Sequence, residues 1–232
     1  MTGNTAMMRP SARRCRAIVM YEGTAYQGFQ RQKHGVPTIQ AAIEAAILKV
    51  TGQAVTVIGA GRTDTGVHAT GQVIAFDVEW KHLPIALLKA INAALPDDIA
   101  VQEMDILPEG DPFHPRFDAF SRVYRYDVLC TPHRQPLDRF RAWQFNHELN
   151  ADKLAQAAAM LIGSHDFGAF GKPPIEGEHT IREVIRSEWA ASPAAFGARW
   201  SYTVEANASL CSTWCGGWWV MAGLMWDVEH SQ

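Results

Sequence analysis

The stretch GRTDTGVHATGQV, residues 61–73, says more about this chain than any other part of its sequence. Gly61, Gly66 and Gly71 divide it, and glycine permits tight turns and the close approach of a ligand to the backbone. Residues 73–76 form an apolar run, which predicts a strand. The pattern therefore indicates a glycine-punctuated loop that leads into a sheet.

The same loop places a carboxylate, Asp64, two residues after a guanidinium, Arg62. The two side chains are near enough in sequence to form a charge pair that would hold Asp64 ionised. An oriented carboxylate with no metal-ligand companions is suited to nucleophilic or base chemistry. The alternative is a surface loop whose Arg and Asp merely pair, since most exposed ion pairs contribute little.

The loop resembles the signature of the tRNA pseudouridine synthase A family, Gly-Arg-Thr-Asp-x-Gly-Val-His-x-x-Gly-Gln-Val, over its whole length and without a gap. Further segments resemble that family in the same order. They are YEGTAYQGFQRQ at residues 21–32, TIQ at 38–40, FHPRFDA at 113–119 and RVYRY at 122–126. The resemblance covers about residues 16–208.

This resemblance implies an isomerase that converts uridine to pseudouridine at positions 38–40 of the tRNA anticodon stem-loop, with neither cofactor nor metal. It implies a cytoplasmic homodimer that holds each tRNA across both subunits. By the same resemblance Asp64 is the essential carboxylate, which attacks either the ribose or the base. Arg62 would pair with Asp64 and help to fill the space of the flipped base. Tyr124 would stack on the uracil, although a tyrosine packed in a strand core is an equal alternative.

Other residues are expected to bind the substrate. Gln30, Arg31 and Gln32 are candidate RNA contacts in the first resembling segment. His68 is a candidate acid, but a packed histidine bonded to the backbone is the preferred interpretation. Candidate phosphate contacts are Arg116, Lys172 and Arg182.

Composition limits the classes of protein to which the chain can belong. Its 232 residues, 47% hydrophobic and 19% charged, can bury a real core. No stretch approaches the roughly 20 apolar residues that span a bilayer. The four cysteines lack the paired spacing of a zinc site, and a reducing cytoplasm is the default expectation.

The formal charge of −3 does not by itself indicate a nucleic-acid-binding protein. One stretch nevertheless combines cations with aromatic rings, which suits phosphates and unstacked bases. A solvated charged face is the alternative. The residues concerned are Arg122, Arg125, Arg134, Arg139 and Arg141, interleaved with Tyr124, Tyr126 and Trp143.

Strand-like and helix-like runs alternate along the chain. In the first half we predict strands at residues 17–21, 55–58, 73–76 and 99–104, with helices at 39–50 and 85–95. This βαββαβ order is that of a ferredoxin-like unit. The second half starts similarly, with strands at 122–129, 184–189 and 198–206 and a helix at 151–162.

We therefore predict an α+β pseudouridine synthase fold. Two ferredoxin-like (RRM-like) units would join their antiparallel sheets and leave a central cleft. The expected domains are a basic disordered arm at residues 1–15, an N-terminal α/β domain with the catalytic loop at 16–111, and a C-terminal α/β domain at 112–232.

The resemblance fails after Ala208. The family has a run like Asn-Ala-Phe-Leu-x-His-Met-Val-Arg-x-Leu-Val-Gly, whereas this chain has NASLCSTWCGGWW at residues 207–219. Codons for TWCGGWW, read from the third base of the Thr213 codon, permit Met-Val-Arg-Arg-Leu-Val. We therefore expect residues 211–232 to be the product of a frameshift that removed the family's arginine, final helix and final strand; a genuinely divergent terminus is the alternative.

Two other functions follow from these features. One is a catalytically impaired remnant that still folds and binds tRNA. The other is a phosphate-binding hydrolase that uses the glycines of residues 59–66, but this loop lacks the Gly-Lys-Ser/Thr of a P-loop. Metal-dependent nucleotide hydrolysis would distinguish the hydrolase from the synthase.

Overall fold

A computed structural model describes residues 11–33, 35–168 and 180–207. The chain divides into two compact units, Met1–Asp118 and Ala119–Gln232. The dividing point lies later in the chain than the boundary expected after residue 111. Residues 211–232, which we expect to be the product of a frameshift, lie outside the described part of the chain.

The first unit has the predicted βαββαβ order. Its elements are β1 (Arg13–Tyr21), α1 (Ile39–Thr51), β2 (Ile58–Gly59), β3 (Ala69–Val78), α2 (Pro84–Ala94) and β4 (Ile99–Ile106). The strands form one sheet in the order β2-β3-β1-β4, and every neighbouring pair is antiparallel. Strands β1 and β2 are therefore parallel and separated by β3, which is the split βαβ arrangement of a ferredoxin-like unit.

Local signals explain where helix α1 begins and ends. The Thr38 hydroxyl accepts a hydrogen bond from the backbone N–H of Ala41 at 3.3 Å, which satisfies one free donor of the first turn. Gly52 ends the helix with a φ of 72°. Between these ends Ile39, Ile43 and Ile47 recur at every fourth position and are buried in the core of the unit.

Strand β1 begins earlier than predicted. Arg13, Arg14 and Cys15 pair with β3, so the last part of the expected disordered arm is ordered strand. The guanidinium of Arg14 donates to both carboxylate oxygens of Asp77 at 2.7 and 2.8 Å. This bidentate pair lies on neighbouring strands and extends their pairing beyond the apolar run from which the strand was predicted.

In its described part, the second unit contains five strands and one α-helix. The elements are β5 (Arg122–Cys130), β6 (Trp143–Phe145), α3 (Ala151–Ala159), β7 (Gly163–Asp166), β8 (Ile181–Ala194) and β9 (Gly197–Ala206). The sheet order is β6-β5-β9-β8-β7, and only β5 and β6 run parallel. The short strands β6 and β7 were not predicted, and helix α3 ends before the expected Ile162.

The core of the second unit forms where its sheet packs on α3. Val184, Tyr202 and Val204 are buried there together with Ala158 of the helix. The hydroxyl of Tyr202, a residue only 1% exposed, shares a 2.8 Å hydrogen bond with Ser187. The predicted joining of the two sheets and the predicted cleft concern the arrangement of the two units and remain predictions.

Candidate active site

The signature loop, residues 60–68, connects β2 to β3 and exposes its charged side chains. Arg62 and Asp64 are both exposed. Among the described residues, no ion pair joins them, so the expected charge pair is not formed in this structure. Water screens the attraction between exposed charges. The free energy gained by pairing is therefore about as small as the entropy cost of ordering two side chains.

Backbone hydrogen bonds hold the loop against a facing segment, residues 23–29. The Phe29 N–H donates to the carbonyl of Thr63 at 2.9 Å, and the Gly66 N–H donates to the carbonyl of Tyr26 at 3.4 Å. Within the loop, the Val67 N–H donates to the carbonyl of Asp64 at 3.2 Å. Asp64 is therefore placed by bonds that its neighbours make with the facing segment.

Two glycines of the facing segment allow this close contact. A Cβ atom at Gly28 would lie 2.7 Å from the carbonyl oxygen of Thr63, and Gly28 has a φ of 88°. A Cβ atom at Gly23 would lie 2.0 Å from the carbonyl oxygen of Val67. Only glycine leaves room for the two backbones at these positions. Of the three glycines first noted in the loop, only Gly66 has a positive φ, 78°.

Three side chains anchor the loop at different points. The buried hydroxyl of Tyr21 shares a 2.8 Å hydrogen bond with the Thr63 hydroxyl. The amide of Gln72 donates to the carbonyl of Gly61 at 2.5 Å. His68 accepts a hydrogen bond from the Gly23 N–H at its Nδ1, 3.1 Å away, so the neutral ring carries its proton on Nε2. This bond to the backbone is the one expected from the preferred interpretation of His68 in the sequence analysis.

The segment that follows Phe29 is tied to a buried carboxylate. The guanidinium of Arg31 donates to Glu44 at 2.8 Å, and Glu44 has a side chain only 9% exposed. Glu44 also accepts from the Gln40 amide at 2.8 Å and from the Val57 N–H at 3.0 Å. Arg31 is therefore a structural partner of α1 in this state. Gln32 donates to the carbonyl of Gln27, and Gln30 is exposed.

Arg116 lies in a tight turn with an aromatic stack. Its backbone N–H donates to Nδ1 of His114 at 3.2 Å, and its side chain is exposed. The ring of His114 stacks on that of Phe117 with centroids 4.3 Å apart. The carboxylate of Asp118 accepts from the His114 N–H at 2.7 Å and closes the turn.

Tyr124 and Arg182 belong to the second unit. Tyr124 lies in β5 opposite Val204 of β9, is partly buried, and packs against the apolar cluster that contains Tyr202. Arg182 lies in β8 opposite His165 and donates to the carbonyl of Ile181 at 2.8 Å. Lys172 is outside the described residues.

Electrostatics favour a neutral Tyr21 at the loop. Burial raises the pKa of Tyr21 to about 12, while its hydrogen bond with Thr63 lowers it by less. The hydroxyl therefore keeps its proton throughout the physiological pH range. Within the described residues, no group of three histidine, cysteine or acidic side chains is arranged to hold a metal ion, and no helix is long and apolar enough to cross a membrane.

Comparison with known proteins places this loop in a family. Residues 17–118 match the family model described as tRNA pseudouridine synthase. A tRNA pseudouridine synthase A of Geobacter sp. strain M21 is 40% identical over 173 residues, which cover 74% of this chain and 68% of the relative. That of Variovorax paradoxus strain S110 is 38% identical over 192 residues, covering 83% of this chain and 70% of the relative. The chain belongs to the tRNA pseudouridine synthase A family.

The match with the family has two limits. The chain spans only 64% of the length of the tRNA pseudouridine synthase A of Neisseria meningitidis serogroup B, to which it is 40% identical over 173 residues. The matched range of the family model contains the signature loop and nearly the whole first unit, but it ends before Tyr124. The roles of Asp64, Arg62 and Tyr124 are therefore proposals.

Sequence reasoning missed part of the site. It assigned no role to Tyr21, Gly23, Gly28 or Gln72, which hold the loop in place. Gly23 and Gly28 lie in the segment that resembles the family, and their identity as glycines was the available signal. Nothing in the sequence alone shows that these residues face Thr63 and Val67, about 35 to 45 positions later in the chain.

Proposed function

We propose that this protein is a tRNA pseudouridine synthase, an isomerase that converts uridine in tRNA to pseudouridine. Family membership supports the proposal, and the single observation that carries it is the placement of Asp64. Its carboxylate is exposed on a loop whose backbone is bonded to a facing segment on one side and anchored by Tyr21 and Gln72 on the other. An accessible carboxylate on a fixed backbone suits covalent chemistry.

The reaction rearranges one nucleotide without a net change of atoms. The bond between N1 of uracil and C1′ of ribose breaks, the base rotates, and a bond from C5 to C1′ forms. C5 gives up its proton and N1 gains one. Asp64 is the nucleophile, and it attacks either the ribose or the base. The uridine must first leave the helix stack, which costs a few kcal/mol.

The substrate site extends beyond Asp64 along the first unit. Among the described residues, the side chains of Arg62 and Gln30 have no partner, and both are exposed next to the loop or its facing segment. Arg62 would occupy the space left by the flipped base, and Gln30 would contact RNA. His68, Arg31 and Gln32 already bond within the protein, so we assign them to shaping the site.

Tyr124 supplies the stacking face for the uracil in this proposal. A tyrosine that is partly buried on a sheet has a fixed ring and can stack at little entropic cost. Arg116 and Arg182 would contact phosphates. The proposed target is the anticodon stem-loop at positions 38–40, and the proposed working state is a cytoplasmic homodimer.

A second candidate is a catalytically impaired remnant that binds tRNA without isomerising it. The observation that favours it is the departure of the sequence from the family run after Ala208, where the family's arginine is replaced near Cys215. The two candidates share the first unit and its loop, so they make the same prediction for tRNA binding and opposite predictions for turnover.

Release of tritium from tRNA labelled at C5 of uridine distinguishes these functions. The assay is run with EDTA, using the 232-residue chain and the product of the same gene with one base inserted near codon 211. Release by the 232-residue chain supports the synthase. Release by the repaired product alone supports the remnant, and tRNA binding without release by either product refutes the synthase. Metal-dependent nucleotide hydrolysis would instead support the hydrolase.

A further inference from the structure

Tyr21 lies at the end of β1, an inner strand of the first sheet, beside the signature loop. It is the last residue of β1 and pairs with both Ala69 of β3 and Ile99 of β4. It is 2% exposed, and its ring lies 6.3 Å from that of Phe29, centroid to centroid. Because neighbouring strands hold its backbone on both sides, its hydroxyl is a rigid reference point.

The hydroxyl of Tyr21 bonds the residue that precedes Asp64. Thr63 is held at its side chain by Tyr21, 2.8 Å away, and at its carbonyl by the Phe29 N–H, 2.9 Å away. These two bonds come from different elements, one from β1 and one from the facing segment. Together they fix both the position and the rotation of the Thr63 peptide, which leads directly into Asp64.

Asp64 itself makes no side-chain bond within the described residues. The direction of its carboxylate therefore depends on the backbone around it. Misplacement of a reacting group by about 1 Å can reduce a rate by about 100-fold. A loop this exposed needs an anchor beside its reactive residue if the carboxylate is to meet the substrate in one geometry.

We infer that Tyr21 is a positioning residue that acts through the Thr63 hydroxyl to orient Asp64 for isomerisation. The inference rests on the proposed function, because it concerns the step in which Asp64 attacks. It requires the hydroxyl of Tyr21 as well as its ring. The ring fills the core, whereas the hydroxyl contributes the only side-chain bond to Thr63 among the described residues.

The test compares Tyr21→Phe, Thr63→Val and the double variant with a matched control, Tyr202→Phe. Tyr202 is equally buried, 1% exposed, and its hydroxyl also bonds another hydroxyl at 2.8 Å, that of Ser187. The control therefore loses the same kind of hydrogen bond in the other unit. Thr63→Val removes the partner hydroxyl with little change of shape, so it tests the same bond if Tyr21→Phe folds poorly.

Two readouts separate positioning from general stability. Hydrogen exchange followed by mass spectrometry measures opening of residues 60–68 in the free chain. Single-turnover tritium release from C5-labelled tRNA, with enzyme in excess, separates the rate of the chemical step from the tRNA concentration at half saturation. In Tyr21→Phe and in Thr63→Val, the backbone amides of residues 60–68 should exchange faster than in the parent. The rate of the chemical step should fall about tenfold in each variant, and the tRNA concentration at half saturation should stay within about twofold of the parent value.

The double variant should lose no more than either single variant, because both remove one bond. Tyr202→Phe should leave loop exchange and the chemical step unchanged. Unchanged loop exchange in Tyr21→Phe and Thr63→Val overturns the inference, as does an equal loss in Tyr202→Phe. If neither the 232-residue chain nor the product with the inserted base releases tritium, the proposed function fails, while hydrogen exchange still decides whether Tyr21 anchors the loop.

Discussion

Gly28→Ala tests the close packing between the signature loop and its facing segment. The new Cβ atom would lie 2.7 Å from the Thr63 carbonyl oxygen, whereas ordinary contact begins at 3.4 Å. The loop would have to retreat by about 0.7 Å, and the bond from the Phe29 N–H to the same oxygen would weaken. An L-residue at this φ costs about 1–2 kcal/mol. Overpacking adds about 1–3 kcal/mol.

Gly52→Ala is the matched control for this prediction. Gly52 has a φ of 72°, but no heavy atom lies within 4 Å of a new Cβ atom. Gly52→Ala therefore carries only the conformational free-energy cost of an L-residue at positive φ. Gly28→Ala should therefore be less stable than Gly52→Ala by about 1–3 kcal/mol. In a chain of this size each kcal/mol corresponds to roughly 2–4 °C in thermal midpoint, measured by circular dichroism. Equal midpoints for the two variants would refute the close packing.

Three further predictions concern binding, chemistry and stability. Tyr124→Phe should bind tRNA within about threefold of the parent and lose mainly the chemical step, because the stacking face survives; equal losses in a filter-binding and a single-turnover assay would indicate a structural role. Affinity for tRNA should fall steeply between low and moderate salt, because cations on phosphates release counterions; a salt-independent affinity in the same filter assay would contradict backbone binding. Glu44→Gln should lower the free energy of unfolding by about 1–3 kcal/mol, because the buried carboxylate accepts hydrogen bonds from Arg31, Gln40 and Val57. Urea unfolding measures this change, and an unchanged midpoint would show that the network is dispensable.

Local signals made much of the first unit predictable. A capping hydroxyl at Thr38, a helix-ending glycine at Gly52 and apolar periodicity defined α1 within a residue or two. Strand β6, Trp143–Phe145, was missed because three residues are too few to show a periodic pattern. Strand β7, Gly163–Asp166, was missed because its sequence GSHD contains no large apolar residue, and it forms by pairing with β8.

The position of the loop could be predicted from the sequence, whereas the contacts that hold it could not. The loop and its carboxylate follow from the sequence pattern, but the expected pair between Arg62 and Asp64 does not form among exposed side chains. The loop is held instead by contacts between residues far apart in the chain, such as Gly28 with Thr63. Such contacts depend on the pairing of β1 with β3 and are visible only once the fold is known.

Asp64→Asn gives the most direct test of the central claim, that the exposed carboxylate of the signature loop isomerises uridine in tRNA. The change keeps the shape of the side chain and removes its charge and nucleophilicity. It is made in whichever gene product, the 232-residue chain or the one with a base inserted near codon 211, releases tritium from C5-labelled tRNA. We expect release to be abolished while tRNA affinity stays within about threefold. Release at a rate comparable to the parent would contradict it.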